Sequence, residues 1–128
     1  MSFAHLTLAT RDVLRTRNFY AEALGWKPID RPGNIATEAA WLEIADSQQL
    51  HVVYVADFAV SPFEREYGRH TAVNYPASGF AELQARLRKL GGEVIEALRP
   101  TPFARFFFRD PNGYVFEVID ADRQIETS

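Results

Sequence analysis

The chain contains no cysteine. That excludes a disulfide framework, a thiolate metal site and a cysteine nucleophile, so any metal must be held by nitrogen and oxygen donors. No apolar run approaches the length needed to span a bilayer, and no basic stretch followed by an apolar one opens the sequence. The expectation is a cytoplasmic protein without a membrane partner. Positive charge is not in excess either. Lys and Arg total 14 against 17 Asp and Glu, for a formal net charge of −3, which argues against nucleic acid as a partner. Histidine is scarce, at three residues, so the place of each carries weight. Hydrophobic residues are plentiful. At 47% of 128 residues they are enough for one domain with its own core and too many for a disordered chain.

Residues 3–9 alternate as a strand, with Leu6 and Leu8 on one face and His5 and Thr7 on the other. Thr10 or Asp12 can cap a following helix, in which Val13, Thr16, Tyr20 and Leu24 form a buried stripe with Phe19 at its edge. Gly25 suits its end. Strands are expected at 26–29, 39–44 and 50–55, with turns at 31–34 and 46–48. A connector follows, and then the pattern restarts. Residues 70–75 read as a strand, Ser78 as a cap, and Phe80, Leu83, Leu87 and Leu90 as a helical stripe ending at Gly91-Gly92. A short strand at 93–96 precedes a hairpin turning on Asp110-Pro111-Asn112-Gly113, where Pro presets φ and Gly accepts a positive one.

The strand leaving that turn carries Glu117 among Val115, Phe116, Val118 and Ile119. A carboxylate there is costly to bury unless something pairs with it. The two halves correspond. His5 stands 65 residues before His70, and His51 stands 66 before Glu117, as Ile29 does before Ile95. The expected architecture is α+β: two tandem β-α-β-β-β modules, about 3–56 and about 70–120, joined by a connector of about 57–69 and followed by a polar tail. Two such copies related by a pseudo-twofold axis would form a curved mixed sheet with helices on its convex face and a cleft on the other.

Paired modules of this kind, with His5-Leu6-Thr7-Leu8-Ala9 on the first strand, His70 opening the second module and 107–117 closing it, resemble the vicinal oxygen chelate superfamily. Glyoxalase I, fosfomycin-resistance proteins, extradiol dioxygenases, methylmalonyl-CoA epimerase and bleomycin-resistance proteins belong to it. The resemblance implies metal ligands at His5, His70 and Glu117, with Glu117 also the catalytic carboxylate and His51 at the place of a fourth ligand. Neutral imidazole and carboxylate suit divalent Fe, Mn, Ni, Co or Zn, and three ligands leave open positions for substrate oxygens. A lone strand histidine is more often an ordinary surface or core residue. The weight lies in three histidines and one glutamate filling equivalent slots of the repeat.

The resemblance further implies a small oxygen-rich substrate, a reaction of lyase, isomerase or dioxygenase type, and a homodimer. The other class it contains is a metal-free drug-binding protein of the bleomycin-resistance kind. Thr7 and Asn74 share the strand faces of His5 and His70 and are candidate substrate contacts. Arg105, with Arg109 and Arg99, is a candidate for holding an anionic substrate. Phe106 and Phe108, on the opposite strand face, are expected in the core. Glutathione binding as in glyoxalase I is not implied, because Ala9 and Val55 stand where that enzyme carries an arginine and an asparagine.

Overall fold

The computed structural model describes residues 1–31 and 38–124. The turn expected at 31–34 falls outside them from residue 32 onward, as does the end of the polar tail. The chain divides into two compact units, Met1–Ala59 and Val60–Ser128. The first contains β1 (His5–Thr10), α1 (Val13–Leu24), β2 (Lys27–Ile29), β3 (Ala39–Ala45) and β4 (Gln48–Tyr54). The second contains β5 (Thr71–Tyr75), α2 (Phe80–Lys89), β6 (Glu93–Ile95), β7 (Arg105–Arg109) and β8 (Val115–Asp120). Both are β-α-β-β-β modules, and the fold is α+β as expected. Among the described residues no helix is long and apolar enough to cross a membrane.

The sheets share one topology. Their strand orders are β1-β4-β3-β2 and β5-β8-β7-β6. In each, the first and last strands of the module pair in parallel and the remaining neighbours are antiparallel. Pro28 is tolerated because β2 lies at a sheet edge, with a neighbouring strand on one side only.

In the first unit Asp12 is the helix cap, its side chain accepting from the Arg15 N–H, while Gly25 takes the left-handed conformation at the other end. The buried face of α1 is Val13, Thr16, Phe19, Tyr20 and Ala23, one step round from the expected stripe, with Leu24 only half-buried. This face packs on β3 and β4, which carry the buried Leu42, Leu50 and Val52. Burying each such side chain stabilises the fold by roughly 1.5–3 kcal/mol. In the second unit Ser78 does not cap the helix. A short 3-10 turn at Ala77–Gly79 leads into α2 without a cap from its own preceding residue, and the Ala77 N–H donates instead to Asp120 Oδ1 on β8 at 3.1 Å. Leu83 and Leu87 are buried, and Phe80 meets Phe106 edge to face at 5.0 Å. Phe108 and Phe116 stack beside them at 5.3 Å.

The hairpin between β7 and β8 is built as the sequence suggests. The Asp110 carboxylate accepts from the N–H groups of Asn112 and Tyr114, each at 2.9 Å, and Gly113 has φ +103°. A Cβ at Gly113 would come within 2.8 Å of the Val60 side chain as well as straining the backbone. Gly113→Ala is therefore expected to destabilise the protein by about 1–3 kcal/mol in denaturant titration, and an unchanged midpoint would refute this.

Candidate functional site

In the first unit, register decides which side chains meet. Thr7 lies opposite His51 across β1 and β4, and Trp41 lies opposite His51 across β3 and β4. Partners in register point to the same face, which is the face turned away from α1. The His51 ring is sandwiched there. It stacks on Trp41 at 3.7 Å with 7° between planes, and on His5 at 4.0 Å with 16°. His51 Nε2 lies 2.8 Å from Gln49 Oε1. Burial, reinforced by the neighbouring His5 charge, holds the His51 pKa below its ordinary value, so the neutral ring is favoured.

In the second unit Glu117 sits at the middle of β8, opposite Ala72 on one side and Phe107 on the other, and is 8% exposed. Its two oxygens have different partners. Arg105 Nη1 donates to Oε2 at 2.9 Å, while His70 Nε2 lies 3.2 Å from Oε1. His70 Nδ1 lies 3.2 Å from the Arg65 carbonyl oxygen, and its ring meets Phe107 edge-on at 5.1 Å. Both polar neighbours of the imidazole are therefore acceptors. A neutral imidazole carries one N–H and can donate to only one of them.

Arg105 is held on several sides. Nη2 donates to Glu66 Oε2 at 3.1 Å and to the Arg99 carbonyl, and the guanidinium lies over Phe107. Glu66 in turn accepts from the backbone N–H groups of Leu98 and Arg99 at 2.6 and 2.9 Å. Desolvation works against the charges of both residues. For Glu66 the two backbone donors and Arg105 outweigh it and hold the carboxyl below its usual range. For Arg105 the bonds to Glu117 and Glu66 outweigh it and raise the guanidinium pKa.

The candidate residues thus fall into pairs. His5 and His51 adjoin in the first unit, and His70 and Glu117 adjoin in the second. Within each unit, among the described residues, no three His, Asp or Glu side chains form a group able to hold a metal. The donor chemistry of the second pair nevertheless fits a divalent metal. Imidazole nitrogen and carboxylate oxygen face each other, and each is oriented from behind, His70 by a carbonyl and Glu117 by Arg105. Thr7 is exposed beside His51. Asn74 is exposed, with its Oδ1 accepting from Arg123 at 2.7 Å. The Arg105 side chain is 3% exposed and bound to two carboxylates. Arg109 donates to the carbonyls of Gly113 and Glu64.

Trp41, Gln49 and Glu66 are the participants that sequence reasoning did not single out. The first two could have been found by counting register across the β3–β4 turn. Glu66 had no local signal, being one of several charges in a connector.

The glyoxalase/bleomycin resistance protein/dioxygenase superfamily model matches residues 2–118. The chain belongs to this superfamily. Glyoxylase I 4 of Arabidopsis thaliana is 25% identical to this superfamily member, over 94% of its chain and 71% of the plant protein. The genomically encoded fosfomycin resistance protein FosX of Listeria monocytogenes superposes with a TM-score of 0.74 at 20% identity, covering 100% of this chain and 95% of that one. A FosX variant solved with Mn(II) and 1S,2S-dihydroxypropylphosphonic acid gives a TM-score of 0.76 at 20% identity, over 93% and 91% of the two chains. A putative glyoxalase family protein of Bacillus anthracis gives 0.73 at 24% identity, over 94% of each chain. At these identities the likeness to the solved structures concerns the fold.

The depressed His51 pKa has a consequence for this superfamily member's stability. The native state binds this proton less readily than the unfolded chain, whose imidazole titrates near 6.5. The contribution is complete above that value and is lost as pH falls from it through the folded pKa. With a chelator present, wild type and His51→Gln should therefore differ in stability by a constant amount above about pH 7, the wild type losing ground below about pH 6. A pH-independent difference in denaturant titrations would contradict the assignment.

Proposed function

We propose that the protein is a metal-dependent enzyme of lyase, isomerase or dioxygenase type. His5, His70 and Glu117 are the ligands of one divalent transition metal (Fe, Mn, Ni, Co or Zn), and the substrate is a small molecule presenting vicinal oxygens. His70 carries the proposal: its two nitrogens face only acceptors, the Arg65 carbonyl and Glu117 Oε1. Charge supports it. Glu66 and Glu117 share the single guanidinium of Arg105, which leaves one negative charge beside Nε2 for a cation to offset. His5 joins the set because it occupies the slot in the first module that His70 occupies in the second. The Mn(II) bound in a FosX structure of the same fold adds weight.

The metal, when bound, supplies Lewis-acid polarisation of substrate oxygens. The chain's own residues do the rest. The Arg65 carbonyl keeps a proton on His70 Nδ1 and leaves Nε2 as the donor. Arg105 holds Glu117 Oε2, so that Oε1 is the oxygen presented, and Glu117 is the catalytic carboxylate. His51 stands beside His5 as a neutral ring already stacked and bonded to Gln49, which suits a wall of the site better than a fourth ligand. Thr7 and Asn74 are the polar contacts for substrate. A cytoplasmic homodimer, with no nucleic acid or membrane partner, completes the proposal.

Elemental analysis of protein purified without chelator or metal-affinity tag tests it. Near-stoichiometric transition metal is expected in the wild type, falling by about tenfold or more in His5→Ala and Glu117→Ala. A wild type without metal, whose stability is unaffected by chelation, would instead indicate a metal-free binding protein of the bleomycin-resistance kind.

A further inference from the structure

We propose that Arg105 is a positioning residue that restricts Glu117 to presenting one oxygen, and that Glu66 in turn positions Arg105. The inference rests on the metal proposal above and adds how the ligand is controlled. A free glutamate can turn about its last torsion and offer either oxygen, or both, to a cation. Here Arg105 Nη1 holds Oε2 at 2.9 Å and only Oε1 faces His70. A planar guanidinium transmits direction, because its donors have fixed angles to one another. With Nη2 bound to Glu66 and to the Arg99 carbonyl, the fork cannot swing with the carboxylate. Glu66 is itself fixed by the backbone N–H groups of Leu98 and Arg99. The connector and the loop before β7 are thereby joined to a strand carboxylate.

The arrangement carries a cost that marks it as more than packing. Arg105 Nε is buried and, among the described residues, has no hydrogen-bond partner. An apolar side chain at 105, together with an apolar partner for each carboxylate, would avoid that orphan and the desolvation of three charges. What such a replacement could not do is hold Oε2 while leaving Oε1 available. A substrate-binding role needs access that a 3% exposed side chain does not have.

Visible absorption titration with Co(II) on the full chain provides the test, with circular dichroism confirming that each variant is folded. Arg105→Met should bind Co(II) about 10–100-fold more weakly than wild type, with shifted d–d bands as the carboxylate changes its mode of coordination. Arg105→Lys, which keeps the charge and loses the fork, should recover only part of the affinity and not the wild-type spectrum. Glu66→Ala should weaken binding in the same direction by about threefold or more. If Arg105→Met does not fold, Glu66→Ala decides. Wild-type affinity and spectrum in the folded variants would overturn the positioning role and leave the metal proposal standing. A wild type that takes up no Co(II) would overturn both.

Discussion

A carboxylate buried between strands rich in phenylalanine and valine is the constraint around which the second unit is arranged. Removing one partner from such a pair costs about 3–5 kcal/mol, because the other charge is left uncompensated. Glu117 therefore needs Arg105, and the other arm of Arg105 needs Glu66. Glu66 needs donors of its own, which it finds in the backbone of Leu98 and Arg99. One charge on β8 thus accounts for the course of the loop before β7 and for the position of the connector. The neighbouring Glu64 shows the same logic in a structural role. Almost wholly buried, it accepts from Arg69 at 2.8 Å and from the Val115 N–H at 3.0 Å, fastening the connector to the start of β8.

The two modules place different chemistry in the same slots. In the first, the pair is two imidazoles, which cannot attract each other by charge. They are held by a column of rings ending in Trp41, and the column favours a neutral His51. In the second, the pair is an imidazole and a carboxylate, with an acceptor beside each nitrogen of the ring. Apolar sheet faces beneath them are alike, with Leu8, Leu42, Leu50 and Val52 in one unit and Phe106, Phe108, Phe116 and Val118 in the other. The repeat thus conserves its packing while its outward faces diverge.

Most of the fold was legible because its signals are local or periodic. Asp110 to Gly113 states a turn in four residues, and the alternation of β1 assigns His5 and Thr7 to one face without reference to anything distant. The boundaries of β4 moved by one or two positions, as ends fixed by hydrogen bonding do, while Asp12 and Gly25 bound α1 where expected. Ser78 was misread because it lies inside a 3-10 turn whose leading N–H is taken by Asp120, 43 residues away. The site was legible only in part. His70 and Glu117 could be paired through the repeat, but Arg105 read only as a candidate for holding an anionic substrate, because period two says which face a side chain takes and not whether that face is covered. Glu64 and Glu66 were illegible, since they sit in a stretch without periodicity and bond to groups 51 and 33 residues away.

The parallel pairing within each module bears on how the chain reaches its native state. β1 cannot bond to β4 until the whole first module has been laid down, since His5 is matched with Gln49; β5 and β8 are likewise joined from Thr71 to Phe116. Hairpins such as β3–β4 and β7–β8 close over short distances and carry little entropic penalty, whereas the parallel contacts close the longest loops of their units and form slowly. The side chains of interest lie on or beside those late-pairing strands. A module that has collapsed but not yet zipped its parallel seam would already have helix and hairpins while its paired donors, His5 and His51 or His70 and Glu117, remained apart. Acquisition of donor pairs is in this way tied to the final act of folding, and an incompletely folded chain would present no assembled pair to a passing cation.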